Sequence, residues 1–130
     1  MSEGMGPFRV SIEIENPARP GLRIEVRDVL VDTGAELSWV PGAALQSLGI
    51  ERRKASRFRQ ADGTVLARLT GYAIIRAAET ETIDEVVFGE PGDLVLLGAR
   101  TLEGLNLRID PVTKRFVDAG PAPAAIVSTR

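Results

Sequence analysis

The 130-residue sequence contains no cysteine and no histidine. Without cysteine the chain can form no disulfide, and it offers neither a thiolate nucleophile nor a zinc-thiolate site. Without histidine, catalytic triads and dyads that depend on an imidazole base are excluded, and so are imidazole metal ligands. Any catalysis must therefore come from carboxylates, lysines, the tyrosine, hydroxyl groups, or an ion held by oxygen ligands.

Aromatic residues are also scarce, and the chain has no excess of positive charge. Aromatics make up 5% of the chain, the formal net charge is -2, and the pI is near 5.2, which is not typical of a general nucleic-acid binder. No apolar run approaches the roughly 18 residues that span a bilayer. The N-terminal residues lack the basic region and apolar core of a secretion signal. The sequence therefore predicts a soluble, cytoplasmic protein without a nucleic-acid or membrane partner.

The remaining composition is that of a globular protein, with 44% hydrophobic and 26% charged residues. The length predicts a single domain over residues 1–130. The last twelve residues, 119–130, are rich in alanine and proline. They are compatible with a loose tail or, from Ile126 onward, with one more edge strand.

Apolar and polar residues alternate over most of the chain, which predicts a mostly β protein with one or two short helices. Helices are expected from Pro41 to Gly49 and over ARTLEGLN (99–106). LVLLG (94–98) reads as a fully buried strand, and the last two strands are expected to close the sheet. The predicted strands are 8–14, 22–31, 37–40, two within 51–77, 82–89, 94–98, 107–110 and 114–118.

A tight hairpin is predicted at Ala61-Asp62-Gly63, because Asp-Gly is a strong short hairpin signal. The basic cluster ERRKASRFR (51–59) leads into this hairpin. Two interpretations stay open for the cluster. Its charges lie on solvated strand faces, or Arg57 and Arg59 bias a ligand groove toward acidic partners.

Two segments of the chain resemble each other. Val31-Asp32-Thr33-Gly34-Ala35 aligns with VLLGA (95–99), and each follows an apolar strand and precedes a helical Leu-x-x-Leu. In the second copy leucines occupy the positions of Asp32 and Thr33. A carboxylate in an apolar setting costs several kcal/mol unless it is hydrogen-bonded or protonated. Asp32 is therefore predicted to serve function rather than stability.

These residues also resemble a known family. Asp32-Thr33-Gly34-Ala35, preceded by Leu-Val, resembles the active-site loop of the retroviral-type aspartic proteases, the retropepsins. DTGAELSWVP is similar to the pepsin pattern Asp-Thr-Gly-Ser-x-x-x-Trp-Val-Pro, and LLGAR (96–100) resembles the family's apolar-apolar-Gly motif. The resemblance is greatest to small bacterial single-domain members and covers about residues 8–118, with 119–130 left as a tail. It implies a closed-barrel-like fold.

The resemblance also assigns roles to residues. Asp32, Thr33 and Gly34 are the expected catalytic loop, in which the Thr33 hydroxyl bonds the backbone of a partner loop. The hairpin takes the place of the family's flap. Glu36 either bonds the substrate backbone or is simply solvated. The residues expected to contact substrate are Ala35, Glu36, Ala61, Asp62 and Gly63, and neither a metal nor an organic cofactor is expected.

Catalysis of this type needs two aspartates that share one proton, and this chain has one Asp-Thr-Gly. A homodimer would place Asp32 beside its copy, with residues 8–14 and those after 113 as the expected interface. The predicted function is an aspartic endopeptidase acting on a peptide or protein substrate. The alternative is a non-catalytic dimerisation or peptide-binding module that keeps the protease fold. A carboxylate ion site is a poorer fit, because Asp32 lacks further acidic ligands at suitable spacing.

Two further side chains carry expectations. Trp39 is expected to be a packed core aromatic, with a role in supporting the flap or lining a subsite as the alternative. Arg100 is compatible with an ion pair to a carboxylate across the dimer.

Overall fold

A computed structural model describes residues 8–124 of the chain. Strands make up 50% and helices 11% of this part, so the predicted mostly β fold is confirmed. The strands are β1 (Arg9–Glu15), β2 (Arg23–Val31), β3 (Ser38–Pro41), β4 (Lys54–Arg59), β5 (Val65–Ala77), β6 (Thr80–Gly89), β7 (Leu96–Leu97), β8 (Leu107–Asp110) and β9 (Arg115–Asp118). The helices are α1 (Gly42–Ser47) and α2 (Ala99–Leu105).

The main sheet closes on itself. Its strand order is β1-β2-β7-β3-β6-β5-β4, and β1 also pairs with the second half of β5, which completes the ring. β4 pairs with the first half of β5. The β2–β7 and β3–β6 pairs are parallel, whereas β1–β2, β4–β5 and β5–β6 are antiparallel. The predicted closed-barrel-like fold is therefore confirmed.

A buried carboxylate marks the place where the ring closes. Glu15 on β1 accepts hydrogen bonds from Arg76 on β5 and, at 2.7 Å, from the backbone N–H of Gly21. The hydrogen bond from the Gly21 N–H lowers the pKa of Glu15 below its usual value, and the bond from Arg76 lowers it further. Because the charge is paired and hydrogen-bonded, it is tolerated at a buried position.

The core fills the inside of the ring and lies under both helices. α1 buries Leu45 and Leu48, and α2 buries Leu102 and Leu105, so the repeated Leu-x-x-Leu pattern corresponds to two helices packed in one core. Gly49 follows α1 with φ of +75°, a backbone conformation that glycine adopts without strain. The predicted end of this helix is therefore confirmed.

Two expectations about strands were wrong. β8 and β9 do not close the main sheet; they pair with each other as a separate two-stranded sheet, because β1–β5 pairing already completes the ring. LVLLG is not fully buried, since only Leu96 and Leu97 form a strand and Leu94 is 65% exposed after the turn at 90–93. The tail prediction from Ile126 falls outside the described residues, and the extent of the domain stays a prediction.

Among residues 8–124, no helix is long and apolar enough to cross a membrane.

Candidate active site

The Asp32 loop begins where β2 ends. The backbone N–H of Asp32 donates to the carbonyl of Leu97 at 2.9 Å, and its Oδ1 accepts the N–H of Gly34 at 2.9 Å. A Cβ at position 34 would lie 3.2 Å from that same Oδ1, so glycine lets the backbone turn this closely around the carboxylate. Asp32 is half-exposed, and its second carboxylate oxygen accepts no hydrogen bond from residues 8–124.

The second repeat segment supports this loop from beneath. Besides the β2–β7 pairing, Ala99 donates its N–H to the carbonyl of Ala35 at 2.8 Å, and Arg100 donates to that of Glu36 at 3.0 Å. Gly98 approaches so closely that an added Cβ would lie 2.5 Å from the carbonyl oxygen of Leu37. The two segments that resemble each other in sequence therefore lie side by side, one carrying Asp32 and the other holding it.

A buried chain of hydroxyl groups continues this support. Gly98 donates its N–H to Ser38 Oγ at 2.9 Å, Ser38 Oγ lies 2.6 Å from Thr101 Oγ1, and Thr101 Oγ1 donates to Asp84 Oδ2 at 2.9 Å. Because the hydroxyl hydrogen of Thr101 is directed at Asp84, Ser38 is the donor in the middle bond. Ser38 and Thr101 are fully buried. No pattern in the sequence predicts a role for Ser38, Asp84 or Thr101.

A groove of about 810 Å³ lies between the Asp32 loop and the β4–β5 hairpin. It contains five of the eight predicted site residues: Asp32, Gly34, Ala35, Glu36 and Ala61. Thr33, Asp62 and Gly63 are not among its lining. The other lining residues are Leu37, Trp39, Arg57, Phe58, Arg59, Gln60, Leu66, Gly92, Asp93, Leu94 and Leu96.

The hairpin tip explains why Asp62 and Gly63 lie outside the groove. Asp62 Oδ1 accepts hydrogen bonds from the N–H of Thr64 at 2.9 Å and from the Thr64 hydroxyl at 2.7 Å. The hydroxyl bond is the larger cause, and the N–H bond the smaller one, of a pKa of Asp62 below its usual value. Gly63 supplies a φ of +91°. Both residues shape the turn, and a direct contact with substrate stays a prediction.

The expectation for Trp39 as a core aromatic was wrong. Its ring is half-buried in the groove, where it meets the ring of Phe58 edge-on at 5.2 Å between centroids. Phe58 belongs to β4, so Trp39 supports the hairpin from below and lines the groove, as the alternative interpretation held. The neighbours of Trp39 on β3, Ser38 and Val40, are the ones that turn inward.

An ion pair fixes the base of the hairpin. Arg68 on β5 donates two hydrogen bonds to Asp93, at 2.7 and 2.9 Å, and its guanidinium lies 6.0 Å from the centroid of Trp39. The Arg68 hydrogen bond lowers the pKa of Asp93, and Asp93 in turn raises the pKa of Arg68. The pair joins the hairpin to the 90–93 turn, which leads directly into the segment beneath Asp32.

The side chain of Arg100 has carboxylate neighbours within its own chain. It lies 3.6 Å from Asp84, 3.9 Å from Glu85 and 4.0 Å from Glu36. A partner across a dimer stays a prediction. Glu36 is 77% exposed in its side chain, which suits a solvated group that only loosely pairs with Arg100.

Thr33 is exposed, and its hydroxyl makes no hydrogen bond to any residue between 8 and 124. Within the same range, no group of three or more acidic side chains is placed to hold a metal ion. A second cavity, of about 450 Å³, lies away from Asp32 against β1 and the β5–β6 turn. The carboxylates that line the groove are those of Asp32, Glu36 and Asp93.

Comparison with known proteins agrees with this geometry. A family model described as gag-polyprotein putative aspartyl protease matches residues 25–104. The match covers the Asp32 loop, the hairpin and the segment that supports the loop. No curated protein matches the chain.

Proposed function

The chain belongs to the gag-polyprotein aspartyl protease family, a retropepsin-like family, and on this premise we propose that it is an aspartic endopeptidase that works as a homodimer. The observation that carries the proposal is the position of Asp32. Its carboxylate is fixed by the N–H of Gly34 and lies in a groove covered by a hairpin. An extended peptide held in such a groove would present its backbone to the carboxylate.

A second copy of the chain would supply the second aspartate. Of the other two carboxylates that line the groove, Asp93 is bound by Arg68, and Glu36 is exposed and pairs only loosely with Arg100. The exposed Thr33 hydroxyl, without a hydrogen bond in the described chain, is available to bond a facing loop. A two-fold axis next to the loop would bring both Asp32 side chains together.

The terminal segments support the same assembly. Phe8 and Phe116 meet edge-on at 5.3 Å between centroids, so the start of β1 and the strand β9 lie next to each other. β8 and β9 form a separate sheet of two strands, which packs Leu107 and Phe116 against the core. We propose that residues 8–14 and those after 113 meet their copies in the dimer.

The proposed chemistry follows from the two carboxylates. So close together they hold one proton between them. The ionised carboxylate removes a proton from a water molecule, whose oxygen then attacks the carbonyl carbon of the scissile bond. The protonated carboxyl group donates its proton to the carbonyl oxygen. Collapse of this intermediate breaks the C–N bond, and the amine leaves with the proton that the first carboxylate had taken up. One hydroxyl of the intermediate returns its proton to the second carboxylate as the product carboxylic acid forms, which restores the dyad.

Substitution of the carboxylate tests the proposal directly. Asp32→Asn is expected to lower kcat/KM for an unstructured protein substrate such as denatured casein by about 10⁴-fold, because the dyad loses its base. Asp28→Asn is the matched control: Asp28 is exposed on the same strand with φ of +57°, which asparagine also tolerates. Wild-type rates in Asp32→Asn, insensitive to pepstatin, would exclude the mechanism.

A mixing experiment tests the shared site. When wild-type protein is equilibrated with an equal amount of Asp32→Asn protein, only dimers with two wild-type chains retain a complete dyad. Activity should therefore fall to about half of the unmixed value, because the mixed dimers are inactive. Unchanged activity would show that each chain works alone. Sedimentation of the wild type at several concentrations gives the oligomeric state independently.

The pH profile distinguishes the enzyme from a binding module with the same fold. Activity should be confined to acidic or mildly acidic pH, since the dyad must retain one proton. Activity that continued unchanged to alkaline pH would contradict the dyad. If no peptide is cleaved at any pH while peptides still bind in the groove, the chain is a peptide-binding module instead.

A further inference from the structure

Two arginines at the groove lack a carboxylate partner. Arg57 and Arg59 both line the groove, both are exposed, and neither forms an ion pair with any residue between 8 and 124. Arg59 makes only a long hydrogen bond of 3.4 Å to the carbonyl of Gly63. Their charge is therefore not neutralised within this part of the chain.

The acidic residues of the groove differ in this respect. Asp93 is held by Arg68 at 2.7 and 2.9 Å, and Glu36 lies 4.0 Å from Arg100. Asp32 is the only groove carboxylate without a basic side chain within 4.0 Å among residues 8–124. Apart from Asp32, the groove charges without an ion-pair partner among residues 8–124 are therefore those of the two arginines.

The position of the arginines places them beside a bound peptide. They flank Phe58 on β4, and the Phe58 ring rests on Trp39 inside the groove. Strand alternation turns their side chains away from that ring, so the charges lie at the rim of the groove rather than on its floor. A side chain of a peptide beneath the hairpin could reach them from the groove.

Resting on the proposed function, we propose that Arg57 and Arg59 select substrates with a glutamate or aspartate in the segment that lies beneath the hairpin. An acidic side chain would supply the partner that both guanidinium groups lack. Guanidinium groups bind carboxylates with two parallel hydrogen bonds where the geometry permits, and remain charged at every pH at which the protein is folded. A segment carrying lysine or arginine at the same place would be repelled.

The competing explanation is that the charges only protect an edge strand. β4 is the last strand of the sheet, and charged side chains on such strands suppress aggregation. Protection requires no preference between peptides, whereas selection requires one. A measurement of substrate preference therefore distinguishes the two explanations.

Paired peptide libraries provide the measurement. Each pair differs at one fixed position that carries glutamate or its neutral isostere glutamine, and kcat/KM is compared for the wild type, Arg57→Gln and Arg59→Gln. At one position or more, the wild type should prefer glutamate by about two- to fivefold for each arginine at low salt, the range of partly exposed ion pairs. Each substitution should reduce that preference by lowering kcat/KM more for the glutamate peptides than for the glutamine peptides.

Arg53→Gln is the matched control. Arg53 belongs to the same basic cluster, but it is already paired with Glu51 at 3.4 Å and does not line the groove. Its loss should leave the preference intact. The reversed charges of Arg57→Glu and Arg59→Glu should shift the preference toward lysine. Circular dichroism should show the native fold, since both residues are exposed and form no ion pair with residues 8–124.

The dependence of the glutamate preference on ionic strength and on pH tests whether it arises from charge. The preference should weaken as ionic strength rises through about 0.15 M. It should also weaken below about pH 4, where the substrate glutamate becomes protonated while the arginines stay charged. A preference that persisted in high salt and acid would reflect shape, and would overturn the proposal.

Binding to Asp32→Asn protein, measured by fluorescence polarisation of the same peptides, separates this inference from the proposed protease activity. Equal cleavage and equal binding of glutamate and glutamine peptides would overturn the inference and leave the protease. Charge-dependent binding without any cleavage by the wild type would support the groove's selectivity and refute the protease. The absence of binding to either peptide would overturn the inference.

Discussion

Arg68 and Asp93, twenty-five residues apart in the chain, form a two-point ion pair that joins the base of the hairpin to the turn at 90–93. The hydrogen bonds measure 2.7 and 2.9 Å, and the side chains are 13% and 14% exposed. Asp93 also accepts the N–H of Glu90 at 2.7 Å, which fixes the turn. The ion pair therefore fixes the base of the hairpin to the turn, and among residues 8–124 the tip (60–64) forms hydrogen bonds within the hairpin itself.

Asp93→Asn is expected to lower the denaturation midpoint at neutral pH, because an amide cannot accept both guanidinium hydrogen bonds and leaves Arg68 without a counter-charge. The measurement is chemical denaturation followed by circular dichroism. Glu90→Gln serves as control: Glu90 is 63% exposed and 3.7 Å from Arg68. An exposed pair of this kind contributes little, so its loss should barely change the midpoint.

The pH dependence of the Asp93 effect has a defined sign. Its folded-state pKa lies below the unfolded value because Arg68 binds the ionised form. The stabilisation is therefore fully present above about pH 4, the unfolded pKa, and is lost as pH falls through the folded-state pKa. The midpoints of the wild type and Asp93→Asn should converge in acid. A difference that stayed constant from neutral to acidic pH would contradict this account.

Thr101→Val should destabilise the protein by about 1–3 kcal/mol, because the isosteric change leaves the hydroxyl hydrogen of Ser38 without an acceptor and Asp84 Oδ2 without its buried donor. Thr101→Ser keeps the hydroxyl and should cost less. In a double-mutant cycle with Ser38→Ala, the two losses should sum to more than the loss in the double variant, since both act on one chain of hydrogen bonds. Simple additivity would show that the hydroxyls act independently.

Two glycines near Asp32 should respond differently to alanine. At Gly98 the new Cβ would lie 2.5 Å from a backbone oxygen, so Gly98→Ala should cost about 1–3 kcal/mol of stability and displace the loop. At Gly34 it would lie 3.2 Å from Asp32 Oδ1 alone. Gly34→Ala should therefore keep the melting temperature and lower kcat/KM. Equal effects on melting temperature would argue against this division between support and chemistry.

The β5–β6 turn offers a stabilising change. Ala78 and Glu79 form its two-residue loop with φ of +50° and +65°, where asparagine and glycine are the favoured residues. The double substitution Ala78→Asn and Glu79→Gly should raise the free energy of unfolding by about 1 kcal/mol. Glu79→Ala tests the reason: alanine is as strained as glutamate at this φ, so it should bring no gain.

The features that the sequence predicted correctly are local ones. The hairpin at 61–63 depends on an Asp-Gly pair and on alternating neighbours, and the end of α1 depends on one glycine with positive φ. Closure of the ring depends instead on pairing between Ile14 and Ile75, which no local pattern reveals. The expectation that β8 and β9 would close the sheet was wrong for this reason.

The site was predicted to a similar extent. The motif identified Asp32 and the segment around Gly98, but Phe58, Arg68 and Asp93 were missed because only the folded chain brings them to the groove. Strand alternation could have corrected the prediction that Trp39 is a core aromatic. Since Ser38 and Val40 face inward, the residue between them must face the other way.

The hydrogen bonds that join the Asp32 loop to Leu97, Ala99 and Arg100 have a consequence for protein synthesis. These partners are translated more than sixty residues after Asp32, so the nascent chain exposes its acidic loop long before anything shapes it. A ribosome that stalls earlier, or a nonsense codon upstream of Leu97, releases a fragment in which the Asp32 loop lacks these three hydrogen bonds. The loop thus takes its folded shape only after Arg100 has been translated.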